Sequence, residues 1–317
     1  MSRLGSRSAV LVLLFWGTAW AATASLPRGK RSARKAATQV VVRTVDLDAQ
    51  GVPIRLAPGV AVSVAGGRID APVSGRVVAT LVGGAELTGR IDGAALGERL
   101  ARTVELRAVE GGAPIGEGRE GGLVTIAGRT ADGAFVCDTV GPVRARVTVP
   151  ANALTAEPRE LVFPVVNERL GSMSSEADLL TAPAGRPRAR LARGARVVIL
   201  AQGDARWARV RTYGAFAIEG FVAKERLGST DGAPPLEDPV PRGLTPTHEV
   251  LVEAPATADS AGRKSIGTLR GGTLVSMGVE VAGPRIKVMT YGDVVGEIWV
   301  PSASLRTLER EIWNEHD

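Results

Sequence analysis

Two stretches of the chain align without a gap, and this repeat constrains the fold more than any single motif does. Val210-Arg211-Thr212-Tyr213-Gly214 runs on to Gly220-Phe221-Val222 and Leu227, and Val288-Met289-Thr290-Tyr291-Gly292 runs on to Ile298-Trp299-Val300 and Leu305. The step from tyrosine to closing leucine is the same in both copies. A repeat of this kind fixes the folding unit before its architecture is argued. Fainter copies precede it: Ile91-Asp92-Gly93-Ala94-Ala95-Leu96 and Val149-Pro150-Ala151-Asn152-Ala153-Leu154 end as Val300-Pro301-Ser302-Ala303-Ser304-Leu305 does. Both lack the aromatic before the closing aliphatic residue and carry Arg90 and Thr148 there.

From Gln39 onward helical periodicity is scarce. Short apolar alternations at 40–42, 60–64, 123–126, 144–149, 197–200 and 274–277 stand between Gly, Pro and Asp turns. Such spacing predicts an all-β chain of small barrels or sandwiches rather than βαβ units. A unit of about fifty residues buries too little to stand alone unless its sheet closes and loses its edges. The expected layout is a signal peptide over 1–24, a basic disordered arm over 25–39, and degenerate units over 40–100 and 101–155. A linker or edge strand follows over 156–176, then a unit over 177–228, a Pro-rich linker over 229–247, and a last unit over 248–317 that ends in a short helix. Leu161-Val162-Phe163-Pro164-Val165-Val166 is too apolar for a free linker and is expected to add an edge strand, where Pro164 would be tolerated. Ser304 is placed to cap the C-terminal helix, with Leu305, Leu308 and Ile312 on one face.

The N-terminus has the pattern of an exported protein. Arg3 and Arg7 precede an apolar run that is too short to span a bilayer, and two small-x-small cleavage sites follow, Ala19-Trp20-Ala21 and Ala22-Thr23-Ala24. The expected location is therefore the periplasm or the medium, with no membrane segment after cleavage. Cys137 is the only cysteine, so neither an internal disulfide nor a lipid-bearing N-terminal cysteine is expected, and the protein is not read as a lipoprotein. The net charge of +6 belongs to the signal and the arm, since Arg28, Lys30, Arg31, Arg34 and Lys35 alone supply +5. A near-neutral remainder argues against a nucleic-acid reader, which needs a basic face on its folded part.

The third unit carries Ala182-Pro183, Leu191 with Gly194 and Val197, Trp207 with Val210, Tyr213-Gly214 and Gly220-Phe221-Val222. In that order these elements resemble the bacterial SH3 domain, a small barrel of exported envelope proteins. The fourth unit is similar through Ala254-Pro255, Ile266-Gly267, Tyr291-Gly292 and Trp299-Val300, but Arg285 replaces Trp207 and Ile298 replaces Gly220. The resemblance implies tandem SH3-like barrels joined by Pro/Gly-rich linkers, with cell-wall peptidoglycan or an envelope protein as the partner.

Catalytic chemistry finds little support in the residues. Gly116-Glu117-Gly118-Arg119-Glu120-Gly121 matches a dinucleotide fingerprint, but a strand follows it where a helix N-terminus is required, so it reads as a turn. His248 and His316 are the only histidines; one stands next to a linker and one beside the C-terminus, not in the rigid cleft that a triad base needs, and with a single cysteine they are too few for a zinc site. No cofactor, metal or catalytic residue is expected. The aromatics of the last two units remain: Tyr213, Phe216, Tyr291 and Trp299 are candidate ligand-binding rings, and Trp207 and Phe221 could serve either ligand or core. The sequence thus points to a non-catalytic exported binding protein. A structural assembly subunit of an envelope complex is the alternative, and a wall hydrolase ranks third.

Overall fold

The computed structural model describes residues 37–65, 75–201, 205–228 and 244–308. These form 29 strands and four one-turn 3-10 helices, and among them is no α-helix. Every described strand pairing is antiparallel, and the pairings join the strands into one continuous network that stays open. The all-β expectation therefore holds. The stretch expected to be a signal peptide, nearly all of the expected basic arm and most of the expected Pro-rich linker lie outside the described residues.

Four repeats share one strand order. The third runs Leu170–Met173, Ala177–Leu180, Pro187–Leu191, Arg196–Ala201, Trp207–Thr212 and Phe216–Ala223, then a 3-10 turn Lys224–Arg226 and a closing strand Leu227–Gly228. In its first strand Gly171 pairs with Val197, and Met173 with Leu227. The other repeats close in the same way, with 3-10 turns Gly93–Ala95, Ala151–Ala153 and Ser302–Ser304 delivering Leu96, Leu154 and Leu305 into the last strand. The leucine-ended motif seen in the sequence is this turn.

Two expected elements do not form among the described residues. Ser304 ends a 3-10 turn rather than capping a helix, because Leu305–Thr307 is spent as a strand against His248–Val250; residues 309–317 lie outside the described part. Likewise 161–166 forms no strand. Proline has no N–H to give to a ladder, and this segment is held by side-chain contacts instead, as described below.

A buried threonine stitches the turn into the sixth strand in three repeats. Thr212 Oγ1 donates to the Phe216 carbonyl at 2.6 Å and accepts from the Ile218 N–H at 2.8 Å. Thr139 does the same with Val143 and Ala145, and Thr290 with Val294 and Gly296. The glycine two residues on, at 141, 214 or 292, has a positive φ that side chains resist. In the first repeat Leu81 stands at this place, ahead of Val82-Gly83. Replacing Thr212 by the isosteric Val leaves the buried Ile218 N–H unsatisfied, so chemical denaturation should show a loss of about 1–3 kcal/mol. No loss would mean that the stitch is dispensable.

The repeats are not beads on a string. Leu96–Leu100 closes the first repeat on Ala37–Val41 and also opens the second, pairing with Leu123–Arg129 and Leu154–Thr155. The second repeat then joins the third reciprocally. Its third strand, Pro114–Gly118, lies beside Phe216–Ala223, with Gly116 opposite Ile218. Its own sixth-strand segment Val143–Arg144 lies beside the third strand of its partner, with Val143 opposite Leu191. The first and fourth repeats use the same exchange: Leu87 faces Gly267, and Leu56 faces Val294. In both pairs a patch meets its own counterpart, the geometry of a two-fold dimer built within one chain. The third strand, which would otherwise be an exposed edge, is covered each time.

Two cores follow from this pairing. Leu47, Ile54, Leu56 and Ile91 of the first repeat pack in one cluster with Val250, Leu269, Val275 and Ile298 of the fourth. Leu100, Leu106, Val124 and Val147 of the second pack with Leu179, Leu191, Val210 and Ile218 of the third. Burying each such side chain contributes about 1.5–3 kcal/mol.

Candidate ligand-binding cleft

A concave surface lies where the second and third repeats meet. Along Trp207–Thr212 side chains alternate, so Thr212 points into the core while Arg211 and Tyr213 point out. On Pro114–Gly118 and the residue beyond, Gly118 is buried while Glu117 and Arg119 face outward. The Gly118–Phe216 and Glu117–Ala217 pairings bring these two outward faces together.

Residues 156–169 cross this junction as an extended strap. The Phe163 ring stacks on Tyr213 at 6.0 Å between centroids, and Tyr213 Oη donates to the Pro164 carbonyl at 3.0 Å. Arg211 Nη2 meets Glu168 Oε1 at 3.4 Å. Beneath Pro164, Val165 and Val166 the strap encloses a cleft of ≈ 230 Å³ whose floor carries Arg119, Arg211 and Tyr213. A second groove of ≈ 550 Å³ shares Glu117, Arg211 and Ala217 with it and extends towards Arg188 and Glu219.

Hydrogen bonding in the cleft is incomplete. Arg119 Nη1 is buried with no hydrogen-bond partner among the described residues. Desolvation pushes the Arg119 guanidinium below its ordinary value; Arg211 adds repulsion, and Glu117 and Tyr213 oppose the shift. Arg188 donates through Nη1 to the Glu219 carbonyl at 2.7 Å, but its buried Nε has no partner among the described residues.

The six aromatic candidates separate. Tyr213 alone of them lines the cleft. Phe216 is 2 % exposed and packs in the core shared by repeats two and three, so it presents no surface ring. Its strand enters the inter-repeat contact, where Phe216 and Ile218 are the inward alternates. Trp299 is also buried, and the Thr257 hydroxyl and the Arg285 guanidinium approach its carbonyl. Trp207, Phe221 and Tyr291 are half-buried outside the cleft, Phe221 lying between Arg209 and Leu180 of neighbouring strands. The arginines went unnoticed in the sequence because they converge only once two repeats pair. The alternation Arg209, Arg211, Tyr213 was the one available signal.

Elsewhere, Gly116-Glu117-Gly118 ends a strand and Gly121-Gly122 turns into another, with no helix to hold a phosphate. Cys137 is buried, and its thiol is pushed up to about 12 by burial and by the nearby acids Asp138 and Glu98. Among the described residues no cluster of three or more His, Cys, Asp or Glu side chains is placed to hold a metal, and no helix is long and apolar enough to cross a membrane.

Tyr213→Phe removes the hydroxyl that holds the strap. We expect a cost of about 1 kcal/mol and about fivefold faster hydrogen exchange at the amides of 161–166. Unchanged exchange there would show that the strap is held by other contacts.

Comparison with known proteins gives no relative: no sequence-family description, no curated protein and no solved structure matches the chain.

Proposed function

We propose that the chain is a non-catalytic exported binding protein whose SH3-like repeats dock on cell-wall peptidoglycan or on an envelope protein. The observation that carries this reading is the cleft at the second and third repeats, where a tyrosine and two arginines line a recess under an extended strap. A few convergent polar groups in a largely preformed recess suit recognition of a small polar ligand. The repeated strand order, with a 3-10 turn before each closing strand, supports the resemblance to SH3-like units. Pairing the repeats two by two gives a rigid support for such a site. The test is retention of the mature chain on purified wall sacculi at low and moderate salt. Recovery wholly in the supernatant would count against wall binding.

A second reading, an assembly subunit without a small ligand, is favoured by one observation. Val162, Phe163 and Val165 on the strap are 71 %, 43 % and 94 % exposed, an apolar run that a protein partner could cover. The long sheet edges are taken up within the chain, so assembly would go through this strap. Light scattering with affinity capture separates the two readings: a monomer that captures no envelope protein disfavours assembly.

A further inference from the structure

We infer that the cleft between the second and third repeats is a carboxylate subsite, in which Arg119 and Arg211 receive an acidic group of a peptide ligand. The inference rests on the binding reading above and names the chemistry of its site. A guanidinium carries five donors in a planar fork, and a buried one without an acceptor is a costly arrangement that an oxyanion would relieve. Arg119 meets this condition at one nitrogen, Nη1, which is buried with no partner among the described residues. Arg211 stands close enough to disfavour the charge on Arg119, so two cations face one recess. Among the described residues the only ion pair of Arg211 is a single long contact to Glu168 on the strap, at 3.4 Å. Glu168 thus occupies, from within the chain, the kind of place that a ligand carboxylate would take in a shorter two-point contact.

The rest of the lining sets the ligand class. Glu117 and Glu168 balance the two arginines, so the recess accepts a monoanion more readily than a doubly charged phosphate. The adjoining groove adds the carboxylates of Glu105 and Glu219, which suit the amide and ammonium groups of a peptide chain. The stacked Tyr213 and Phe163 rings supply an apolar wall for the side chain next to the carboxylate.

The test is a titration of the full chain, followed by NMR, with N-acetyl-Ala-Ala bearing a free carboxylate, with its C-terminal amide, and with inorganic phosphate. The free acid should shift the Tyr213 and Ala217 amide resonances, and the amide should bind about tenfold more weakly, as expected for loss of one charge-assisted contact. Arg119→Gln and Arg211→Gln should each weaken the acid about tenfold, while Arg190→Gln, which breaks an exposed pair with Glu176 away from the cleft, should not. Equal binding of acid and amide, wild-type affinity in both cleft variants, or no binding of the acid would overturn the subsite. Phosphate binding more tightly than the acid would overturn the carboxylate assignment. Sacculus retention is read separately: a retained protein with a silent titration defeats the subsite and leaves the binding function standing.

Discussion

Replacing Gly267 by Val should detach the fourth repeat from the first and lower stability by about 4 kcal/mol or more. The two repeats meet through Ala85–Asp92 and Ser265–Leu269, and Gly267 lies directly opposite Leu87. A Cβ on Gly267 would collide with the Glu86 carbonyl oxygen, which is strand backbone and cannot swing aside. Its φ of +138° also lies in a region that side chains resist. Gly116 holds the equivalent place between the second and third repeats, where a Cβ would collide with the Ala217 carbonyl. The thermal midpoint should fall by about 10 °C, with early proteolysis of the fourth repeat. Gly128→Ala, a position with open space around it, serves as the control and should change little. A midpoint for Gly267→Val equal to that of the control would show that this close approach does not hold the two repeats together.

The second large effect is expected at Glu98. It lies on the strand shared by the first and second repeats, opposite Val124, and is fully buried, with no well-formed hydrogen bond to either carboxylate oxygen among the described residues. Burial pushes its carboxyl up to about 7 from an ordinary 4.5; the Gln39 side chain pulls it back slightly. The folded state therefore binds this proton more tightly than the unfolded state does. Stability from this group is complete below about 4.5 and falls as pH rises through about 7, for a loss of about 3 kcal/mol by pH 8. Glu98→Gln keeps the shape and removes the titration. Denaturation of both proteins between pH 4 and pH 8 should show the variant gaining on the wild type as pH rises, with the difference levelling above pH 8. Parallel pH profiles would mean that the carboxylate finds compensation when ionised.

Much of the local structure was legible in the residues. The leucine-ended motifs at Leu96, Leu154, Leu227 and Leu305 became the four closing turns, and Tyr213-Gly214 and Tyr291-Gly292 became the turns into the sixth strands. These features are set by contacts within a few residues, so local chemistry declares them. Which repeat pairs with which was not legible, because an unpaired third strand reads the same whether solvent or another repeat covers it. Gly116, Gly267 and Gly296 are local traces of the close approach, and in the sequence Gly116 passes for a turn glycine. The same blindness explains the candidate rings. Phe216 looks like a surface aromatic beside a turn when its repeat is considered alone, and becomes core once the second repeat lies against it. Leu161-Val162-Phe163-Pro164-Val165-Val166 has the composition of a strand, but its proline interrupts the donor row, and its anchor is Tyr213, a residue about fifty positions away.

The pairing of first with fourth and second with third repeats is tested most directly by cutting the chain. A protease site placed within residues 229–243 separates the polypeptide of the fourth repeat from the first three without touching a described strand. The two fragments share the core that contains Leu56, Ile91, Leu269 and Ile298. They should therefore elute together in size exclusion under native conditions and part only in denaturant. Two folded fragments that elute separately in native buffer would contradict the account.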